Sequence, residues 1–362
     1  MEDLRATPLF KRHQDLKALL APFGGWNMPI QYEGILAEHR WCREKVALFD
    51  ICHMGEFYFQ GDFEKSGLEN VFTFSVKSIP VGRSRYGFLL NENGGIIDDL
   101  IVFRLDEDQA MIVVNAATAD NDFEVIRQRI SGDIFLNISD TTGKLDLQGP
   151  LAREVMVRFF GEKVADIPYF RFETMEILGE EAIVSRTGYT GELGYEIFLK
   201  SHKVGELWDL FMTDDWVKPA GLGARDVLRL EVGYSLYGSD IDEQTTPLEA
   251  GLEAFVNFDK EFVGKDALLK QREEGLSRQK IAFRVQSRRS PRHHYEICFK
   301  DDSVGSVTSG VFSPMLGCGI GLGYVTPKTA DLDTPLTIRH ENVSMEATVV
   351  ELPFYTGGSL RK

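Results

Sequence analysis

A charged segment at residues 270–280 (KQREEGLSRQK) divides the chain into two regions with different patterns. Before it, strand-like and helix-like stretches alternate, which favours mixed layers of helices and sheets. After it come only short strand-like runs separated by Gly, Asp, Asn and Pro, which is typical of a small closed β domain. These runs cover residues 281–285, 295–299, 304–308, 320–325, 336–338 and 345–350. The sequence therefore predicts an α+β fold, with a first region at 1–275 and a C-terminal β-barrel domain at 276–362.

Composition excludes several classes of partner. Lys and Arg number 40 against 56 Asp and Glu, a net charge of −16, and such a surface repels nucleic acid and anionic lipid. No apolar run approaches the ~18 residues of a membrane helix, and the first residues do not form a signal peptide. The four cysteines are scattered without a Cys-x-x-Cys pair, which argues against zinc and disulfides. We expect a cytoplasmic protein with no metal site, no membrane span and no nucleic-acid partner.

Several common catalytic and binding motifs are missing. The sequence has no Gly-x-x-x-x-Gly-Lys-Ser/Thr loop and no Gly-x-Ser-x-Gly elbow. Glycines do recur at every second position from Gly317 to Gly323, but inside a predicted strand rather than at the start of a helix. A dinucleotide-binding interpretation therefore fails, and close packing of a barrel strand explains the spacing better.

Two adjacent carboxylates interrupt an apolar run at residues 91–103 (NENGGIIDDLIVF). The segment is predicted as a turn that leads into a strand. Successive strand side chains point to opposite faces, so only one of Asp98 and Asp99 can face a given pocket. A buried carboxylate costs free energy unless it is paired or used. The alternative is an aspartate at the strand entry that caps the turn.

A second polar segment at residues 185–196 (SRTGYTGELGYE) contains three glycines in seven residues. These glycines would let the backbone approach a flat ligand closely. Glu196, on the outgoing strand, could accept two hydrogen bonds from a heterocycle that presents an amino group beside a ring N–H, as a pterin does. The alternative is a surface hairpin with an exposed glutamate.

A third segment, at residues 219–231 (PAGLGARDVLRLE), is predicted as a strand end that passes through glycines into a helix. It places Arg225 in the first turn of that helix. A cation there opposes the helix dipole, so we expect a specific anionic partner for this side chain. That partner could belong to a structural salt bridge, to a ligand, or to both.

In this order, the three segments resemble those of the aminomethyltransferase family, the T protein of glycine cleavage. The likeness covers most of the chain, through further motifs at residues 7–9, 49–56, 114–116, 147–150, 236–243, 262–265 and 308–314. It implies that residues 1–275 form two intertwined α/β subdomains. These would be arranged with the barrel around a central channel that holds tetrahydrofolate.

The resemblance also implies a reaction and the residues that perform it. An aminomethyl group on the lipoyl arm of the H protein would lose ammonia, and its methylene would pass to tetrahydrofolate. The second Asp of the family's Gly-Gly-x-x-Asp-Asp segment is catalytic, and this position is Asp99. The pterin-holding Glu falls on Glu196. The other folate-binding positions implied are Arg225, Tyr189, Asn115, Tyr86, Met54 and Arg361.

Two other kinds of protein share this fold. One is a folate-dependent demethylase, and the Asp98-Asp99 pair together with residues 190–192 (TGE) favours the aminomethyl reaction instead. The other is a non-enzymatic folate-binding protein of iron–sulfur maintenance, which carries a Lys-Gly-Cys-Tyr-x-Gly-Gln-Glu signature. This chain has no cysteine between Cys52 and Cys298, which argues against that class.

Overall fold

The computed structural model describes residues 4–132 and 134–360. Its strands form a hairpin, a five-stranded sheet, a six-stranded sheet and a closed barrel; elements are numbered in chain order. The hairpin, which the sequence did not predict, consists of β1 (Leu19–Phe23) and β2 (Trp26–Gln31). Within the described ranges no helix is long and apolar enough to cross a membrane. The helices are α1 Phe10–Asp15, α2 Ile35–Glu44, α3 Ala119–Arg129, α4 Ala152–Phe160, α5 Val204–Phe211, α6 Leu222–Glu231 and α7 Lys265–Glu274.

The five-stranded sheet packs one face against α3. Leu100 and Val102, two residues apart on its longest strand, share a buried core with Ile126 of that helix. The strands are β4 Gly55–Gln60, β5 Ser84–Leu90, β6 Ile96–Asp106, β7 Gln109–Val114 and β8 Ile134–Asn137. Their order across the sheet is β5-β6-β7-β4-β8, and all neighbours are antiparallel.

The six-stranded sheet packs against α4 and α5. Its strands are β3 Val46–Asp50, β9 Thr142–Gln148, β10 Phe172–Ile177, β11 Glu180–Ser185, β12 Gly194–Lys200 and β13 Val217–Pro219. Their order is β10-β11-β12-β9-β3-β13, and β13 runs parallel to β3. Leu145 and Leu147 of β9 are fully buried in one core with Val155 of α4 and Trp208 of α5.

Aromatic side chains hold the two sheets together. The ring of Phe103 on β6 lies 5.4 Å from that of Phe172 and 5.3 Å from that of Phe198, centroid to centroid. Because strand side chains alternate, Ile101 and Asp99 share this face of β6 with Phe103. The space between the sheets is therefore apolar around Phe103 and polar near Asp99.

The C-terminal region forms the predicted barrel. Its strands are β14 Gln279–Val285, β15 Glu296–Phe299, β16 Asp302–Ser313, β17 Cys318–Val325, β18 Pro335–His340 and β19 Val343–Val350. They close in the order β14-β17-β16-β15-β18-β19. A Cβ at Gly321 would lie 2.5 Å from the ring of Phe283, and one at Gly323 would lie 2.6 Å from the side chain of Ile297. The regular glycines thus serve close packing inside the barrel.

The chain returns from the barrel to the glycine-rich segment of the first region. Ser359 donates two hydrogen bonds to Glu192 Oε2, from its N–H at 2.8 Å and from its hydroxyl at 2.5 Å. The other carboxylate oxygen of Glu192 accepts from Arg43 at 2.8 Å. Leu360 N–H donates to Gly191 O at 3.3 Å. Residues 359 and 360 therefore tie down the turn that precedes β12.

The run Thr7-Pro8 before Leu9 and Phe10 predicts an N-cap at Thr7, and the start of α1 differs from this. Thr7 is not the N-cap of this helix, because Leu9 occupies that position and no side chain caps it. The Thr7 hydroxyl donates to Asp50 Oδ2 at 2.6 Å and accepts from Leu9 N–H at 3.3 Å. Thr7 thus links the first residues to the six-stranded sheet.

Truncation of the sheet–sheet contact should destabilise the protein. Phe103→Ala removes a ring that is 1% exposed, and a cavity of this kind costs about 3–5 kcal/mol. Ile134→Ala, on an edge strand where the side chain is 50% exposed, should change stability by less than about 0.5 kcal/mol. Urea unfolding of both variants measures the difference. Equal effects would show that the two sheets do not depend on this contact.

Candidate functional site

Adjacent carboxylates on β6 face opposite ways, as strand alternation predicts. Asp99 lies on the face of Phe103, toward the second sheet, whereas Asp98 is fully buried on the face of Leu100, toward α3. Asn115, which follows β7, nevertheless contacts both. Its Nδ2 donates to Asp98 Oδ1 at 2.8 Å and to Asp99 Oδ1 at 2.9 Å. One amide group therefore sets the position of both carboxyl groups.

Asp99 has both carboxylate oxygens held by donors. Tyr86 OH donates to Oδ2 at 2.9 Å, and Asn115 Nδ2 donates to Oδ1. Burial raises the pKa of Asp99 to about 6, although these hydrogen bonds and the positive charge of Lys280 act in the opposite direction. The group is thus mostly ionised at neutral pH, with a pKa near the range in which a general base works best.

The facing wall is the polar side of β9. Lys144, Asp146 and Gln148 alternate with the core residues of this strand and are themselves buried. Lys144 Nζ lies 2.8 Å from Glu56 Oε1, an ion pair whose angles fall outside hydrogen-bond geometry. Gln148 Nε2 donates to Asp146 Oδ1 at 2.6 Å. Charged groups therefore line the side of the six-stranded sheet that is turned away from its apolar core.

Glu196 lies on β12 directly opposite Asp146 of β9. Its Oε2 accepts from the Thr187 hydroxyl at 2.5 Å, and within the described residues its Oε1 accepts no hydrogen bond. Arg225, in the first turn of α6, forms an ion pair with Asp146. Burial raises the pKa of Asp146 to about 6, while Arg225 lowers it and Glu196 raises it further.

Arg225 thus has the anionic partner that its place in the helix predicts. The structural salt bridge is present, and a role toward a ligand stays a prediction. Its guanidinium also lies 5.0 Å from the centroid of the Tyr189 ring. An aromatic face and a paired cation are therefore in contact here.

The glycines of the second segment make room for protein side chains. A Cβ at Gly188 or at Gly194 would lie 2.1 Å from Gln148 Nε2. A Cβ at Gly191, where φ is +77°, would meet the side chain of Val232 at 2.3 Å. The close approach shown here is therefore to protein side chains, and an approach of this backbone to a flat ligand stays a prediction.

Tyr189 lies between the two groups of carboxylates. Its ring stacks on Tyr234 at 5.7 Å, and its hydroxyl donates to Ser235 O. Lys280 Nζ, from the first barrel strand, donates to Ser235 Oγ at 2.7 Å. Burial raises the pKa of Tyr189, and the negative charge of Asp99 adds to this effect. Tyr189 is thus near enough to Asp99 for the two to influence each other.

The other predicted positions fall as follows. Met54 packs partly buried between the cluster of Phe49 and that of Phe103. Arg361 lies outside the described residues, so its predicted place is not assessed. The structure brings Tyr86, Asn115 and Asp99 together at one end of the space between the sheets. Glu196 and Arg225 lie at the other end, and Tyr189 lies between the two groups. Their roles toward a ligand stay predictions.

Several residues of the site were not expected from the sequence. They are Asp146, Gln148, Ser235 and Lys280. The run KLDLQ at 144–148 does alternate, but alternation alone does not tell whether the polar side faces solvent or a second sheet. Lys280 lies at the end of a highly charged segment, where a partly buried lysine is unexpected. Burial lowers its pKa to about 8.

Comparisons with known proteins agree with this architecture. The model of the GCVT N-terminal domain matches residues 9–260, and that of the glycine cleavage T-protein C-terminal barrel domain matches residues 278–356. A protein of Halothermothrix orenii named aminomethyltransferase is 44% identical, covering 97% of this chain and 100% of its own length. One of Thermotoga petrophila with the same name is 42% identical, with 99% and 100% covered.

A solved structure shows the same fold. The crystal structure of glycine cleavage system aminomethyltransferase T from Bartonella henselae superposes with a TM-score of 0.93 at 32% identity, over 99% of each chain. The chain is therefore an α+β protein that has two facing sheets with polar inner walls and a C-terminal barrel. The chain belongs to the glycine cleavage T-protein family, whose two domain models together match most of its length.

The raised pKa of Asp99 should make stability depend on pH. The ordinary value is 3.8 and the folded value is about 6, so the folded state binds the proton more tightly than the unfolded state. Wild-type protein therefore loses stability as pH rises through this interval, and Asp99→Asn lacks that loss. The variant should gain in unfolding free energy relative to wild type between about pH 4 and pH 8. Urea unfolding of both proteins at each of these pH values gives the difference in their unfolding free energies. A difference that does not change with pH would contradict the pKa assigned to Asp99.

Proposed function

We propose that this chain, an aminomethyltransferase of the glycine cleavage system, transfers methylene to tetrahydrofolate. The methylene comes from an aminomethyl group on the lipoyl arm of the H protein, and ammonia is released. The observation that carries this proposal is Asp99, held by Tyr86 and Asn115 with a pKa of about 6. The four cysteines are all free, which suits the reducing cytoplasm that we propose as its location.

Asp99 acts on the folate nitrogen that attacks the methylene. As a carboxylate it can orient the N–H of that nitrogen, take its proton and stabilise the positive charge that develops. Tyr86 and Asn115 fix the two oxygens, so little reorientation is needed in the transition state. The chain needs no nucleophile of its own, because the substrate already carries its covalent bond to sulfur.

Glu196 holds the pterin ring. With Oε2 fixed by the Thr187 hydroxyl, Oε1 is available for the amino group and ring N–H at the edge of a pterin. Arg225 and Tyr189 support the ring from the side, through the guanidinium and the aromatic face. Met54 contributes apolar contact between the sheets.

The overall division of the chain follows from the same proposal. Residues 1–275 would bind folate through two subdomains, one on each sheet, and residues 276–362 would cover the site with the barrel. Lys280 and its bond to Ser235 support this division, since they bring a barrel strand to the backbone that holds Tyr189.

Replacement of Glu196 should weaken folate binding. Glu196→Gln substitutes a donor for one acceptor oxygen, and loss of a charge-assisted bond costs about 1.5–3 kcal/mol. Glu181→Gln, exposed on the neighbouring strand β11, is the matched control and should bind normally. Isothermal titration with tetrahydrofolate gives both affinities. Equal affinities for the two variants would remove Glu196 from the site.

Replacement of Asp99 should affect turnover more than binding. Asp99→Asn keeps the shape and removes the base, so ammonia release from aminomethylated H protein should fall by about 10²–10⁴-fold. Folate affinity should change much less, because the loss belongs to the transition state. Asp106→Asn, exposed at the end of the same strand, serves as control.

The same assay tests the function itself. Wild-type protein that released no ammonia with tetrahydrofolate and aminomethylated H protein would contradict the proposed reaction. Near-normal turnover in Asp99→Asn, or a larger defect in Asp98→Asn, would show instead that the reaction uses the other carboxylate.

A further inference from the structure

A second carboxyl group lies buried behind Asp98 without a regular donor. Asp122 of α3 is 0% exposed, and neither of its carboxyl oxygens accepts a hydrogen bond of good geometry within the described residues. The groups within its reach are the Thr118 hydroxyl and the Asp98 carboxyl. Two carboxyl groups can bond to each other only when one carries a proton. We propose that Asp98 and Asp122 share one proton, and that this pair positions Asn115 and, through it, Asp99.

The electrostatics of the pair support a shared proton. Burial raises the pKa of Asp122 to about 7, and burial together with the charge of Asp122 raises the pKa of Asp98 well above its usual range. Two buried like charges at bonding distance repel each other, so one proton is retained and belongs to the pair as a whole. Above about pH 7 the pair therefore carries one negative charge.

In the part of the chain that the structure describes, the charges that act most strongly on the pair are negative. The charged groups that act on the pair are Asp99 of β6 and Glu243 of the segment after α6. Tyr237, from the same segment, has its pKa raised by burial and by the charges of the pair. Among the described residues, no cluster of three or more acidic, histidine or cysteine side chains could hold a metal ion. A proton is the remaining means of neutralising the second carboxylate.

The pair acts on Asp99 through one amide. Asp98 Oδ2 accepts the Asn115 N–H at 2.9 Å, and Oδ1 accepts Nδ2 at 2.8 Å. The amide orientation is then fixed, and its Nδ2 also reaches Asp99 Oδ1 at 2.9 Å. Sharing the proton spreads the negative charge toward Asp122 and away from Asp99. Asp122 is thus a positioning residue for the proposed base.

Infrared spectroscopy detects the shared proton directly. Wild-type protein at about pH 8, where an ordinary carboxyl is fully ionised, should show the C=O stretching band of an un-ionised carboxylic acid. Asp122→Asn should lack this band, because its amide can donate to an ionised Asp98. Asp120→Asn, exposed on the same helix, should keep it. Absence of the band in wild type, or its persistence in Asp122→Asn, overturns the proposal. The wild-type measurement does not depend on whether any variant folds.

The pH–rate profile tests the effect on Asp99, and this part rests on the proposed function. Asp122→Asn places the whole negative charge on Asp98, so the acid limb of kcat should move to higher pH, with little change in KM. Asp122→Val removes the carboxyl group that shares the proton with Asp98 and should lower kcat by about 10²-fold through misplacement of Asp99. An unmoved acid limb in Asp122→Asn overturns the coupling to Asp99. Inactive wild-type protein would count against the proposed function, while the infrared band judges the shared proton separately.

Discussion

Charges buried between two sheets must be paired, and this requirement determines how the parts of the protein fit together. An ionised group removed from water costs several kcal/mol unless a partner compensates it. Here the partners come from different elements. Asp146 of β9 pairs with Arg225 of α6, which is 79 residues away, and Lys144 of the same strand pairs with Glu56 of β4. The pairs therefore connect one sheet to the other and to α6, so that the walls of the site cannot shift independently.

Such pairing also explains why the site offers few open donors or acceptors. Arg225 is used by Asp146, and one oxygen of Glu196 is used by Thr187. Under the proposed function, a ligand would meet Oε1 of Glu196 and the exposed part of Asp99. Such a site would select ligands by the position of their N–H groups, because a group that finds no acceptor there would remain unpaired.

The sequence predicted the features that depend on local order and missed those that depend on pairing. The barrel strands were predicted because turn residues separate short runs, and the opposite directions of Asp98 and Asp99 follow from strand geometry alone. The polar side of β9 was not assigned to the site, because Lys144 and Asp146 look like a solvent face until a second sheet covers them. The packing role of Gly188 and Gly194 was missed for a similar reason: the side chain they accommodate, Gln148, is about 40 residues away in sequence. Lys280 gave no signal, since its neighbours are exposed charges.

The tie between Ser359 and Glu192 joins residues 167 apart in the chain. Ribosomes add about 5–20 residues per second, so roughly 10–30 seconds pass between the emergence of the glycine-rich turn and that of its partner. Until then the turn that carries Tyr189 lacks this contact, although both sheets have been translated once β13 ends at Pro219. The pocket of a nascent chain is therefore completed last, by the segment that follows the barrel, and an interrupted translation product would have its sheets without a finished site.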